Sequence, residues 1–208
     1  MKHIMGPSSL SKLTNVQDGD VQPNAVDLRL GKVFLIRPNT FIITEETKRH
    51  RGSVELTPNK DGFYTLEEGH YEVVMENIIE VGENEAGWVI TRSTLNRNGV
   101  FLTSGLYDTG YHGVMAGVMH VTRGPMIIKQ GTRIGQYLSF NAEALHKYDG
   151  SYGIGKEHDE KYAIAVDDTI ELTIKPEGQI VVTDQDGNTE QPPKKRGRGR
   201  PKKEASAQ

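Results

Sequence analysis

The chain contains no cysteine. That excludes a disulfide framework, a thiolate zinc site and a cysteine nucleophile. No apolar run approaches the ~18 residues that a membrane-spanning helix needs. The opening MKHIMGPSSLSK lacks the apolar core of a secretory signal. Apolar residues are scarce, at 35% of the 208, and one Trp stands beside 8 Tyr and 5 Phe. Together with 23 glycines, this composition points to turn-rich β structure rather than a helical bundle. The length fits one domain with appendages, at roughly 100–200 residues per domain. The expectation is a soluble cytoplasmic protein without membrane contact, or a nuclear one if the source is eukaryotic.

The net charge of −3 conceals an asymmetry. Residues 194–203 read KKRGRGRPKK, seven basic residues in ten. Without residues 194–208 the body keeps 18 basic residues against 27 acidic ones, a net of −9. An acidic body and a compact basic tail are two physical objects with different partners.

Residues 1–23 are polar and turn-rich, with one short helix expected around Ser8–Leu13. VDLRLGKVFLIR (Val26–Arg37) alternates in Val26, Leu28 and Leu30 and again in Val33 and Leu35, which favours a strand interrupted at Gly31. TFIIT, SVEL and GFYTL are short β-prone runs. HYEVVMENIIEV (His70–Val81) fits helix or strand by period alone, but its β-branched content and bracketing glycines favour strand. GWVITRSTL, GVFLTSGLYD, GVMAGVMHV and PMIIK follow with Gly, Asn or Pro between them. Short strands evenly spaced by turn signals read as a β-sandwich or barrel. TIELTIK (Thr169–Lys175) and QIVVTD (Gln179–Asp184), separated by PEG, read as a hairpin. From Gln185 onward the composition cannot bury a core, and disorder is expected. The expected organisation is therefore a β-barrel over 1–165, an extra hairpin over 166–184 and a tail over 185–208.

Three segments carry chemistry. Arg92-Ser93-Thr94 offers a guanidinium fork and two hydroxyls at a strand end, a set suited to phosphate oxygens. Asp108 lies in a glycine-bounded turn, where a carboxylate can orient water, and Tyr111 can stack on a sugar or base. Arg133 and Gln136 can reach further oxygens. His112 and His120 share a strand face, yet no third ligand has recognisable spacing, so they read as ordinary satisfied or solvent-facing histidines.

In order, TRSTLNRNG (Thr91–Gly99), GLYDTGYHG (Gly105–Gly113) and GTRIGQ (Gly131–Gln136) resemble successive motifs of the dUTPase/dCTP deaminase superfamily. Upstream, AVDLRLG (Ala25–Gly31) and LEEGHYEVVMENIIEV (Leu66–Val81) are similar to the segments of the deaminase branch. The resemblance covers roughly residues 20–160. It implies an all-β, distorted jelly-roll-like barrel of the dUTPase type that assembles as a homotrimer, with active sites at subunit interfaces. It implies a deoxynucleoside triphosphate substrate with Mg²⁺ held mainly by the triphosphate. By the same resemblance, Asp108 activates water for attack at the α-phosphorus and Tyr111 packs on the deoxyribose. Arg92, Ser93, Thr94 and Gln136 fall where phosphates are held, and Asp27 takes a supporting structural or metal-proximal role. Such a division of labour suits phosphoryl transfer, which needs positioning, charge and an oriented nucleophile.

KYDGSYGIGKEHDEKY (Lys147–Tyr162) resembles the C-terminal lid of the superfamily, which closes over the triphosphate of a neighbouring chain. Both Lys147-Tyr148 and Lys161-Tyr162 fit its Lys-Tyr element. The sequence also departs from the deaminase branch. That branch carries a catalytic Glu ten residues beyond the Asp, and Val118 stands there. A valine moves no proton, and phosphate hydrolysis does not need that Glu. In the tail, RGRGRPKK resembles an AT-hook, with Arg196, Arg198 and Arg200 in the narrow minor groove of A·T-rich DNA; a generic polybasic tail is the other reading. The expected function is a Mg²⁺-dependent dUTP diphosphatase with a DNA-binding tail, a combination that would suit a virus or phage. The alternatives are a dCTP deaminase or bifunctional enzyme, and a non-catalytic DNA-binding or regulatory protein on the same fold.

Overall fold

A computed structural model describes residues 1–156 and the backbone of three short strands beyond them, Leu172–Ile174, Ile180–Thr183 and Thr189–Glu190. The chain forms two compact units, Met1–Thr169 and Ile170–Gln208. The boundaries expected at 165/166 and 184/185 fall outside the described residues, as do Lys161, Tyr162, Arg196, Arg198 and Arg200.

Almost all the regular structure of the first unit is strand. In chain order it contains β1 (Lys12–Leu13), β2 (Val26–Ile36), β3 (Ile42–Ile43), β4 (Lys48–Arg49), β5 (Ser53–Glu55), β6 (Phe63–Leu66), β7 (Gly69–Glu80) and β8 (Glu85–Thr91). A five-residue helix α1 (Ser93–Arg97) follows, then β9 (Val100–Thr103), β10 (Leu106–Tyr107), β11 (His112–Val121), β12 (Met126–Lys129) and β13 (Arg133–Asn141). The main sheet runs β10-β8-β13-β2-β7-β11-β9, with β1 added to β7 and β5 to β2. β6 with β12 and β3 with β4 form two small ribbons. Every pairing is antiparallel. No helix among the described residues is long and apolar enough to cross a membrane.

The sheet curls until its far edge returns to β8, and two side chains stitch the seam. Thr91 at the end of β8 takes both backbone groups of Leu102 on β9: its Oγ1 donates to the Leu102 carbonyl at 3.0 Å and accepts from the Leu102 N–H at 2.7 Å. Tyr107 on β10 does the same across to β11, donating to and accepting from the backbone of Ala116 at 3.1 Å each. The β9 ladder ends at the Thr103–Val118 pair, which leaves those two groups of Ala116 without a strand partner on that side. The enclosed core is packed by fully buried side chains such as Leu28, Leu30, Met115, Met119, Ile134 and Tyr137.

The two phases of alternation in β2 have a physical cause. The register against β7 slips between Leu30 and Lys32, which places Gly31 in a bulge and moves the side chains facing the main core from even positions (Val26, Leu28, Leu30) to odd ones (Val33, Leu35). A Cβ on Gly31 would lie 2.9 Å from the Val74 carbonyl oxygen, so the bulge accepts only glycine without backbone movement.

Two local expectations are corrected. Residues Ser8–Leu13 form no helix; they turn into β1, which pairs with Ile79–Glu80. The amides of Leu10 and Ser11 donate to the Glu85 carboxylate at 2.8 and 3.1 Å, so a distant side chain takes the donors a helix would have used. The run after Thr91 leaves the sheet as α1, anchored by buried Leu95 and ended before Gly99 at φ +72°.

In the second unit β14 (Leu172–Ile174) and β15 (Ile180–Thr183) pair antiparallel, and β16 (Thr189–Glu190) adds to β15. Strand pairing thus includes Thr189–Glu190, and the rest of the expected tail lies outside the described residues. Extending a ribbon by two residues takes only backbone hydrogen bonds, which need no apolar side chains.

Candidate active site

Asp27 organises the first half of the site. It sits on β2 with no exposed surface, and three donors from two other segments converge on it. Arg92 Nη2 and Arg133 Nη1 both lie 3.3 Å from its Oδ2, and Gln136 Nε2 donates to Oδ1 at 3.0 Å. Register explains the meeting: Gln136 is paired with Asp27 on one side and Ile90 on the other, and Arg92 follows β8 directly. Two guanidiniums sharing one carboxylate leave a local charge of +1 on side chains that are 27% and 35% exposed. Such a pair, fixed from beneath and open above, is built to receive an anion, with planar forks suited to phosphate. Of the two roles expected for Asp27, the geometry matches the structural one. Its oxygens are committed to cationic and amide donors, and among the described residues no group of three or more His, Asp or Glu side chains could hold a metal ion.

A second ion pair, which the sequence does not announce, braces the first. Buried Asp20 accepts from Arg29 Nε at 2.9 Å and Nη2 at 2.6 Å. Burial opposes the Asp20 charge, but the Arg29 guanidinium and the Gln17 amide hold the carboxyl below its ordinary value. Arg29 also donates to the Gly131 carbonyl, and Arg133 to that of Gly19, which ties the β2 start to the turn before β13.

Asp108 forms the second half. It is exposed and opens a tight turn in which the Tyr111 amide donates to the Asp108 carbonyl at 3.0 Å. Gly110 has φ +82°, the left-handed third position that such a turn reserves for glycine. The turn is held rigidly: Gly110 and Tyr111 exchange backbone hydrogen bonds with Val81, and buried Thr109 donates to the Glu85 carbonyl at 2.7 Å. A cleft of about 330 Å³ opens beside it, lined by Gly110, His112, Lys147, Glu80 and Glu83 among others.

Tyr111, expected to pack on a deoxyribose, packs inward here. Its ring is 7% exposed, meets Tyr107 and Tyr148 edge to face at 5.4 Å each, and its hydroxyl donates to the Val114 carbonyl. It presents no open face to a sugar in this conformation, because Tyr148 covers it. Lys147 and Tyr148 dock on their own chain: the Tyr148 amide donates to the Thr109 carbonyl at 2.8 Å, and Lys147 runs along Gly110. Further on, the Ile154 amide donates to His112.

The structure thus gathers Arg92, Gln136 and Asp27 in one place and Asp108, Tyr111, Lys147 and Tyr148 in another. Ser93 and Thr94 lie exposed at the start of α1 beside the first group. The two groups stand at opposite ends of β8. Tyr107 is paired with Gly87, and the five steps from Gly87 to Arg92 span roughly 16 Å at about 3.3 Å per residue.

Val118 is half-buried on β11 and supplies no carboxylate. Strand register adds one that sequence distance hides: Glu72 of β7 is paired directly with Val118.

This combination, a curled antiparallel barrel with an arginine-lined anion site and an exposed aspartate on a glycine turn, defines a nucleotide-handling protein. The comparisons give it a family. Residues 8–141 match the family model described as dCTP deaminase-like, and the chain belongs to that family. A probable deoxyuridine 5'-triphosphate nucleotidohydrolase of Halobacterium salinarum is 32% identical over 141 residues, 66% of this chain and 85% of the relative. The deoxyuridine 5'-triphosphate nucleotidohydrolase of Methanocaldococcus jannaschii is 30% identical over 141 residues, 66% of this chain and 90% of the relative. Among solved structures, the 2'-deoxycytidine 5'-triphosphate deaminase of Agrobacterium tumefaciens aligns with TM-score 0.49 at 20% identity, covering 62% of this chain and 43% of that one.

Proposed function

We propose that the protein is a dUTP diphosphatase, hydrolysing dUTP to dUMP and pyrophosphate in the cytoplasmic nucleotide pool. The observation that carries this reading is the pairing of a fixed +1 arginine site with an exposed carboxylate on a rigid turn. Asp108 accepts the proton of a water whose oxygen attacks the α-phosphorus. The bond from that phosphorus to the bridging oxygen breaks, and pyrophosphate leaves. Arg92, Arg133 and Gln136 hold phosphate oxygens, with Ser93 and Thr94 in reach at the start of α1. Mg²⁺ accompanies the triphosphate as part of the substrate. These roles amount to positioning and charge, which is what phosphoryl transfer asks of a protein.

The separation of Asp108 from Arg92 along β8 exceeds the reach of a triphosphate's two P–O–P links. One chain therefore supplies two half-sites, which supports a homotrimer in which Arg92 of one copy faces Asp108 of the next. Trp88 and Leu106, paired across β8 and β10 and each at least half exposed, offer apolar surface for such contact. The tail, through Arg196, Arg198 and Arg200, would hold the enzyme on A·T-rich DNA.

The second reading is a bifunctional enzyme that also deaminates dCTP, favoured by Glu72 standing opposite Val118. One experiment separates the two: pyrophosphate release measured over dUTP, dCTP, dTTP and UTP, with ammonia release followed from dCTP. The diphosphatase reading expects dUTP cleavage and no ammonia. Ammonia from dCTP at a comparable rate would establish the bifunctional reading, and pyrophosphate from none of the four would sink both readings.

A further inference from the structure

The outer face of β7, β11 and β9 carries a cluster that the proposed reaction leaves unused. His70 on β7 and His120 on β11 are paired in the antiparallel register, so both side chains leave the sheet on one side. Their Nδ1 atoms lie 2.9 Å apart, and the rings meet edge to face with centroids 5.0 Å apart. On the other side of the His120 ring, Nε2 is 3.0 Å from Thr103 Oγ1. The Thr103 hydroxyl in turn reaches the Val118 carbonyl oxygen at 3.4 Å. His70 is exposed and His120 half-buried, so the pair is open to solvent.

Proton accounting shows what this arrangement offers. If Thr103 donates its O–H to Val118, its oxygen accepts from His120 Nε2–H. The neutral His120 ring then presents a bare lone pair at Nδ1, aimed at His70 Nδ1. Only one proton fits between those two nitrogens.

We propose that His70 and His120 form a binding site for a divalent transition-metal ion of the imidazole-preferring class, such as Ni²⁺ or Cu²⁺, in place of the shared proton. Two nitrogens 2.9 Å apart both reach an ion at about 2.0–2.1 Å that sits off the line between them on the exposed side, each ring turning so that its lone pair meets the ion, with an N–metal–N angle near 90°. A right angle between two imidazoles belongs to tetragonal and octahedral geometry, which Ni²⁺ and Cu²⁺ adopt, whereas Mg²⁺ takes oxygen ligands. Water completes the coordination on the exposed side. Thr103 supplies the outer contact that metal-bound histidines usually have, fixing the tautomer and the ring angle. Glu72, two residues along β7 and therefore on the same face, adds negative potential.

The test is calorimetric titration of the full, untagged, chelator-treated chain with Ni²⁺. One ion per chain is expected, with affinity lowered at least about 10-fold by His70→Ala or His120→Ala and several-fold by Thr103→Val. His112→Ala, on the same strand, should bind as the parent does. Paramagnetic broadening of histidine ring signals needs no variant and should fall on two residues, His70 and His120. The proposal is overturned if the double variant binds Ni²⁺ as tightly as the parent, if His112→Ala loses as much, or if the broadening falls on other histidines.

Discussion

Arg92 reaches back from the end of β8 to place its Nη2 3.3 Å from the buried Oδ2 of Asp27. The contact fixes a cation at the end of β8, where the proposed reading seats a phosphate, and in that reading Asp27 shapes the anion site without touching substrate. Replacing Asp27 by Asn keeps the volume and removes the charge, leaving Arg92 and Arg133 to repel each other. Breaking a buried pair from one side costs about 3–5 kcal/mol, with the lower end expected because both arginines are partly exposed. Urea unfolding should register that loss, and KM for dUTP should rise. Unchanged stability would mean that Asp27 does not organise the pair.

Asp108 is exposed and its turn is held by backbone bonds, so Asp108→Asn should fold normally and still bind nucleotide. Turnover should fall by ~10²–10⁴, the usual contribution of a positioned general base. Co-expressing Asp108→Asn with Arg92→Ala then tests the shared site. If each site draws Arg92 and Asp108 from different chains, mixed oligomers contain some intact sites and recover activity that neither variant has alone. No recovery would argue that each chain completes its own site, and light scattering should agree by giving a single-chain mass.

Glu85 clasps the N-terminal segment to the Asp108 turn. It accepts from Lys2 Nζ, from Ser9 and Ser11 hydroxyls and from two backbone amides, while its own carbonyl receives Thr109. Burial by itself raises its pKa, but the hydrogen bonds from Lys2, Ser11, Leu10 and Ser9 outweigh it and hold the group at about 2, against an ordinary 4.5. A folded pKa below the unfolded one contributes stability that is fully present above pH 4.5 and is lost as pH falls toward 2. The contribution is on the order of 3 kcal/mol. Glu85→Gln should therefore be less stable at neutral pH and should flatten the decline measured by urea unfolding between about pH 5 and about pH 3. A variant with the parent's full pH dependence would assign the decline to other carboxylates, Asp20 first among them.

Deleting residues 194–208 should leave dUTP hydrolysis unchanged and abolish DNA affinity, because the remaining body is acidic. Seven basic residues meeting about 4–6 phosphates imply a log–log salt slope of roughly −4 to −5, at ~0.9 per phosphate. Equal affinity for A·T-rich and G·C-rich duplexes would reduce the hook to a generic basic tail.

Much of this molecule was legible in the chain itself. Alternation and turn residues announce the strands, because side chains on a pleated sheet face core and solvent by turns. The order of the Arg92, Asp108 and Gln136 segments announces the family, because phosphate chemistry constrains residue types at fixed points of a fold. Other features depend on register and curl, which bring together residues far apart in sequence. The shift of phase in β2 becomes a bulge only against β7. Ser8–Leu13 lost its helix to Glu85, 75 residues from Leu10, and Tyr111 lost its open face to Tyr148. The Asp27 cluster, the Glu72–Val118 pairing and the His70–His120 contact are all cross-strand meetings, invisible to local pattern. The length of β8 decides that Arg92 and Asp108 stand apart, since a strand is stiff and each residue adds a fixed rise.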